Sequence, residues 1–338
     1  MIVERVVTMR PSVRWRQLLD ERVDEAVTYL GRAPGVSGFL IGGSIGRGEP
    51  WPMSDIDLLP VYPGDTPPDG PPPALDQRRA DLVDWWTGSG RAQALDLARL
   101  CFTVGEIGPA MRGGPEWVAG RMGEHRWFHG SDKAYGARPV VSGDDPADAV
   151  IGEFAEWLTG VRFHPAVVAA RLTEWRRQAE VAWAEADRLQ GEDPVTATYH
   201  LRESARAYRM ILIEGWGDRL GSMGREWTRF ERMAAGNGQA DLAGRVAVLA
   251  GADARDAADR ARIAPIWLRE RIGFCWAARR EVGEDVTEEQ NARDQLAAYT
   301  LHVVRKRPEL DGPWTASPDP LLGRHLTELR QLLTASLS

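Results

Sequence analysis

The chain has 338 residues, 43% hydrophobic and 27% charged, the profile of a soluble globular protein long enough for two domains or one large one. Its 42 basic and 49 acidic residues leave a net charge of -7, so no general positive excess is available to hold a nucleic-acid backbone. Two cysteines, Cys101 and Cys275, exclude a disulfide-dense fold and read as buried packing residues. No apolar run reaches the roughly 18 residues of a membrane span, and charge interrupts the N-terminus before a signal-peptide core forms. The expected compartment is the cytoplasm, with no membrane or nucleic-acid partner. Only two basic residues are lysine, Lys133 and Lys306; this bias reads as codon usage and not as mechanism.

In chain order, Ser12 to Leu30 has helical spacing, with Leu18, Val23, Ala26 and Leu30 near one face, Ser12 as cap, and Gly31 and Pro34 as stops. Val36 to Ile41 and Asp55 to Tyr62 read as strands. Pro63 to Pro73 is a loop, and Ala74 to Trp86 returns to helical spacing. Ala94 to Val104 is the expected third strand, closed by Thr-Val-Gly-Glu. This order of elements is α/β in character.

Beyond Asp144 the pattern changes. Val168, Leu172, Trp175, Ala179, Ala182, Ala186 and Leu189 form a stripe spaced alternately four and three apart, on a helix that Pro165 opens. Asp193-Pro194 starts another helix, carrying Leu201, Ala205, Tyr208 and Leu212 and stopped by Gly215 and Gly217. Further helices are expected near Arg225–Ala235, Ala240–Leu249, Asp253–Phe274, Glu288–Val304 and Pro320–Leu337. The expected organisation is therefore α+β, with a mixed sheet flanked by helices over 1–143 and a helical bundle over 144–338. The six histidines show no close pairing that suggests zinc.

One stretch concentrates chemistry: Gly42-Gly43-Ser44 at the end of the first strand, then Ser54-Asp55-Ile56-Asp57-Leu58 about a dozen residues on. Glycines there let a ligand approach the backbone amides, and a helical turn beginning at Ser44 would present those amides to an anion. Positions i and i+2 of a strand share a face, so Asp55 and Asp57 project together. Side-by-side carboxylates repel, and a divalent cation relieves that repulsion; oxygen ligands favour Mg2+ or Mn2+.

Gly43-Ser44-Ile45-Gly46-Arg47-Gly48-Glu49, a four-residue spacer and Ser54-Asp55-Ile56-Asp57-Leu58 resemble the signature of the DNA polymerase beta-like nucleotidyltransferase superfamily. The layout, a core followed by helices, looks like its aminoglycoside- and lincosamide-type antibiotic nucleotidyltransferases. The resemblance implies that Gly43 and Ser44 hold the β and γ phosphates of an NTP, expected to be ATP. It implies that Asp55 and Asp57 bind metal, and that Arg47 touches phosphate or stabilises the loop, a salt bridge to Glu49 being the alternative. Ser54 is expected to cap the turn.

The resemblance also calls for a third carboxylate on a later strand, as metal ligand or proton acceptor. Asp96 is the candidate, an exposed helix residue the alternative, and Glu106 the reserve. In the second half, Tyr199, Glu203 and Arg206 fall close together on a helix; Glu203 is either a base or one member of a solvated pair, with Glu153 and Glu156 comparable. The implied activity is transfer of a nucleoside monophosphate to a hydroxyl of a small molecule, such as an antibiotic or a sugar. The alternatives are a macromolecular acceptor (a protein or an RNA end) and an inactive nucleotide-binding module.

Overall fold

The computed structural model describes residues 14–335, except 32, 98–99, 141–145, 222–223 and 316. The fold is mixed α and β with a small mixed sheet. Contacts divide the chain into two compact units, one ending at Arg171 and one beginning at Leu172.

The first unit contains β1 (Gly38–Ile41), β2 (Ile56–Tyr62), β3 (Leu95–Leu97), β4 (Phe102–Thr103) and β5 (Arg138–Val140). Their order is β3-β2-β1-β5, with β4 also on β2. The β1–β2 and β1–β5 pairs are antiparallel; β3 and β4 run parallel to β2. Every residue of β2 is buried, as suits a central strand. Helices α1 (Trp15–Leu30) and α3 (Pro73–Gly88) pack together, and Leu19, Ala26, Leu82 and Trp86 join the sheet residues Phe39, Ile56 and Leu58 in one core. The expected cap Ser12 lies outside the described residues.

The expected strand Ala94–Val104 is two short strands. The ladder on β2 pairs Leu58 with Leu97 and resumes at Val61 with Phe102. Pro60, which has no N–H to give a neighbour, lies in the gap. Val104 does not close a strand: it opens α4 (Val104–Ala119), whose cap Thr103 accepts the Glu106 amide N–H. Pro109, Pro115 and Gly114 (φ +67°) kink α4, which is why its sequence did not read as a helix. Also unforeseen are α5 (His125–Lys133) and β5.

The expected division at 143/144 comes too early. Helix α6 (Pro146–Val161) buries Ile151, Phe154 and Leu158 and packs on α4, β1 and β5, so it belongs to the first unit. The units divide within α7 (Pro165–Leu189).

The second unit holds α8 (Pro194–Gly215), α9 (Glu226–Gly236), α10 (Ala240–Leu249), α11 (Ala254–Ile263), α12 (Ile266–Glu281), α13 (Glu288–Lys306), a short 3-10 turn (Pro308–Leu310) and α14 (Leu322–Ala335). Asp193 caps α8 by accepting the Thr196 amide N–H. The single helix expected over Asp253–Phe274 is broken at Ala264-Pro265, whose extended backbone starts α12. Leu201, Trp227, Phe230, Val246 and Leu329 form the main apolar core. Among the described residues no helix is long and apolar enough to cross a membrane.

A buried charge network ties α9, α12 and α13. Asp294 is fully buried; it takes Arg279 at 2.5 Å, Arg293 at 3.3 Å and the Thr228 hydroxyl at 2.7 Å. Asp294→Ala would leave Arg279 buried without that carboxylate. We expect it to lower the unfolding free energy by about 3–5 kcal/mol, as read by urea denaturation.

Candidate active site

Strand β1 ends at Ile41, and two glycines turn the chain into the single helical turn α2 (Gly43–Gly46). Each glycine is required by a neighbour. A Cβ on Gly42 would lie 2.5 Å from the carbonyl oxygen of Lys133 and 2.7 Å from Leu59 Cδ1. A Cβ on Gly43, already at φ +61°, would lie 1.9 Å from Asp57 Oδ2. The loop is thus pressed between the C-terminus of α5 and a carboxylate of β2. Gly42 N–H donates to the Asp57 carbonyl at 2.9 Å, which extends the β1–β2 ladder into the loop. The amides of Gly46, Arg47 and Glu49 bond back to Gly42, Gly43 and Ser44. The first amides of the turn, from Gly43 to Ile45, are those a helix cannot satisfy internally.

The structure brings the predicted carboxylates onto one region. Asp57 is 2% exposed. Asp96 is its register partner on the parallel neighbour β3, and Asp55 lies two residues before Asp57, at the mouth of β2. Asp55 is half-buried and Asp96 exposed, on a strand and not on a helix. Burial, then the charge of Asp55, push the Asp57 carboxyl up to about 7; Lys133 opposes this and Asp96 adds to it.

Lys133 is the residue that sequence reasoning missed. Its ammonium stands 2.7 Å from Asp57 Oδ1. Burial alone would lower its pKa, but the charges of Asp57, Asp55 and Asp96 outweigh that and hold it above the ordinary lysine value. It is the last residue of α5, and two arginines fix that helix. Arg162 donates to Asp132 at 2.8 and 3.1 Å, and Arg171 donates to the Phe128 carbonyl. The available signal was its rarity: 40 of the 42 basic residues are arginine, so a lysine here is a departure from the chain's own habit. A compact ammonium fits beside one carboxylate oxygen where a forked guanidinium does not.

The remaining predicted residues have structural partners. Ser44 is buried and its hydroxyl shares a hydrogen bond with that of Ser54 at 2.8 Å. Ser54 Oγ also accepts the Trp51 amide N–H at 3.0 Å, which is the turn cap expected of it. Arg47 is buried, pairs with Glu49 at 3.5 Å and packs on Gly136, where a Cβ would meet its Cγ at 2.8 Å. The reserve Glu106 pairs with Arg126 at 2.5 Å and bonds Thr103. Glu203 takes the Tyr199 hydroxyl at 2.8 Å, while Arg206 turns away to the Ala297 carbonyl. His125 and His129 do meet, with ring centroids 4.5 Å apart one helical turn apart on α5.

Among the described residues, no three His, Cys, Asp or Glu side chains converge closely enough to hold a metal ion as they stand. The chemistry of the donor set nonetheless fits a hard divalent cation. The donors are oxygens only, and the buried Oδ1 of Asp57 is met, among the described residues, by the Lys133 ammonium alone. No protein-family model matches the chain, and no curated protein matches it.

Two outcomes test this electrostatic arrangement. Asp57 keeps its proton to about pH 7 when folded and to about 4 when unfolded, so the folded state binds more protons in between. Its contribution to stability therefore falls as pH rises through that window and levels off above it. Asp55→Asn removes a repulsive neighbour, so thermal unfolding should show a shallower fall and a higher Tm at pH 7.5; an unchanged pH profile would contradict the coupling. Lys133→Met strips the buried Asp57 of its counter-charge. It should cost about 3–5 kcal/mol at pH 8, and less at pH 5 where Asp57 takes up a proton.

Proposed function

We propose that the chain is a metal-dependent nucleotidyltransferase that moves a nucleoside monophosphate, AMP by expectation, from an NTP to a hydroxyl of a small molecule. The observation that carries this reading is the close approach of Gly43 to Asp57, with Asp96 in register beside it. Repelling carboxylates are gathered against an open turn of backbone amides, and one ammonium offsets them. Such a cluster is unfavourable for folding alone; it suits a site that receives positive charge together with phosphate.

In this reading Gly43 and Ser44 position the triphosphate. Asp55 and Asp57, with Asp96, would hold Mg2+ or Mn2+. The bound ion would neutralise charge on the phosphates and ease deprotonation of the acceptor. The acceptor oxygen bonds to the α-phosphorus as the bond to the bridging oxygen breaks; pyrophosphate leaves, and Asp96 takes the hydroxyl proton. Lys133 is placed to release Asp57 Oδ1 and follow the phosphate charge. Arg47 supports the loop from behind through Glu49.

A second reading has its own observation. The Lys133 ammonium occupies Asp57 as a cation would, which suits a nucleotide-binding module without turnover. One experiment separates the two. The chain is incubated with each NTP, Mg2+ and a panel of aminoglycosides, lincosamides and sugars, and the products are read by mass spectrometry. A gain of one nucleoside monophosphate on one acceptor, abolished in Asp57→Ala, is the expected result. Metal-dependent nucleotide binding with no product across the panel, and none on protein or RNA, favours the inactive module.

A further inference from the structure

The second unit contains a cavity of about 470 Å3, within the size range of small-molecule sites. Two arginines line it: Arg202 on α8 and Arg260 on α11. Both are largely removed from water. Burial lowers the pKa of Arg202, and burial together with the charge of Arg202 brings Arg260 down to about 10. Among the described residues neither guanidinium has a carboxylate within 4.0 Å, unlike Arg279 and Arg293, which Asp294 holds.

Arg260 spends its donors on the scaffold. It bonds the Gly251 carbonyl and the Thr300 hydroxyl, both at 3.0 Å, and the Trp314 carbonyl at 3.4 Å. Arg202 does not. One of its nitrogens reaches the Thr315 carbonyl, at a long 3.3 Å, and its other donors stay accessible. Its side chain packs against Gly251, a left-handed residue (φ +63°) whose Cβ would lie 2.5 Å from Arg202 Nε. The backbone has made way for that group.

Asp319 acts on Arg202 through its charge, but its oxygens are engaged elsewhere. Asp319 Oδ1 accepts the Leu321 amide N–H at 2.8 Å, and its Oδ2 lies 2.6 Å from His325 Nδ1. This leaves Nε2 as the open nitrogen of a ring held in place. Asp253 and Asp259 at the mouth are tied to Arg255 and Arg262. Asp256 is exposed there and repels multiply charged ligands. Trp314, Val248 and Leu321 supply apolar wall.

We propose that this cavity binds a small organic carboxylate with an apolar body, its charge on Arg202 with Arg260 behind, and a second polar atom on His325 Nε2. One accessible guanidinium and an acidic rim select a single negative charge over a polyphosphate. The proposal stands apart from the nucleotide site of the first unit.

The test titrates phenylacetate into the full chain without nucleotide or metal. It follows the His325 ring proton by NMR, assigned through its loss in His325→Gln. Phenylacetate should shift that signal, while benzyl alcohol and inorganic phosphate leave it in place. Arg202→Met should weaken phenylacetate roughly 10-fold to 100-fold. It should leave Tm unchanged or raised, because an unpaired buried cation is gone. An unmoved His325 signal in the unaltered chain overturns the proposal, even if Arg202→Met does not fold. Undiminished binding in a folded Arg202→Met overturns it as well, and an equal response to inorganic phosphate overturns the carboxylate assignment.

Discussion

The first unit is organised around one crowded contact, the Asp57 carboxylate against the Cα of Gly43. It admits no side chain at position 43, it buries a charge on the central strand, and it sets the loop after β1 directly over that charge. Burying a lone carboxylate costs far more than a surface contact can return, so the surroundings must respond. They do so with Lys133, delivered at the end of α5 and held there by Arg162 and Arg171 through Asp132 and Phe128. Gly42 completes the arrangement, because only a residue without Cβ lets the Lys133 carbonyl come so near.

The parts of this site that are local in sequence were legible. The Gly-Gly-Ser turn, the Asp-x-Asp spacing and the cap at Ser54 are short-range patterns whose geometry follows from strand periodicity and turn chemistry. Asp96 was legible for a related reason: three alternating residues, Leu95-Asp96-Leu97, place a carboxylate on one face and two leucines on the other. Lys133 was not, because its partner is 76 residues away and no periodicity links an α5 terminus to β2.

Misread elements share a cause. Helix α4 carries two prolines and four glycines, composition that reads as loop; it is held by tertiary packing against α6 and not by propensity. The segment that forms α6, not foreseen as a helix, fell on the bundle side of the expected boundary, yet its buried Ile151, Phe154 and Leu158 serve the sheet unit. The stripe from Val168 to Leu189 was read correctly as a helix, but a stripe says which face is buried and not which neighbour buries it. Pro265 was visible and its effect underestimated: the periodicity on either side continues, while the backbone does not.

Buried charge separates scaffold from site in both units. Around Asp294, two guanidiniums, the carboxylate and a hydroxyl meet one another, and Glu231 and Glu284 add negative charge beside Arg293 and Arg279. Around Asp57, negative charge exceeds the single ammonium that faces it; around Arg202 and Arg260, no carboxylate of the described residues comes within 4.0 Å. A protein selected for stability alone would trade such groups for apolar ones of similar volume, at no loss and often with a gain. Their retention, against glycines that exist only to make room for them, places the unmet charge where something else is expected to bind. The sign of that charge then states what each unit lacks: a cation beside phosphate in the first, an anion in the second.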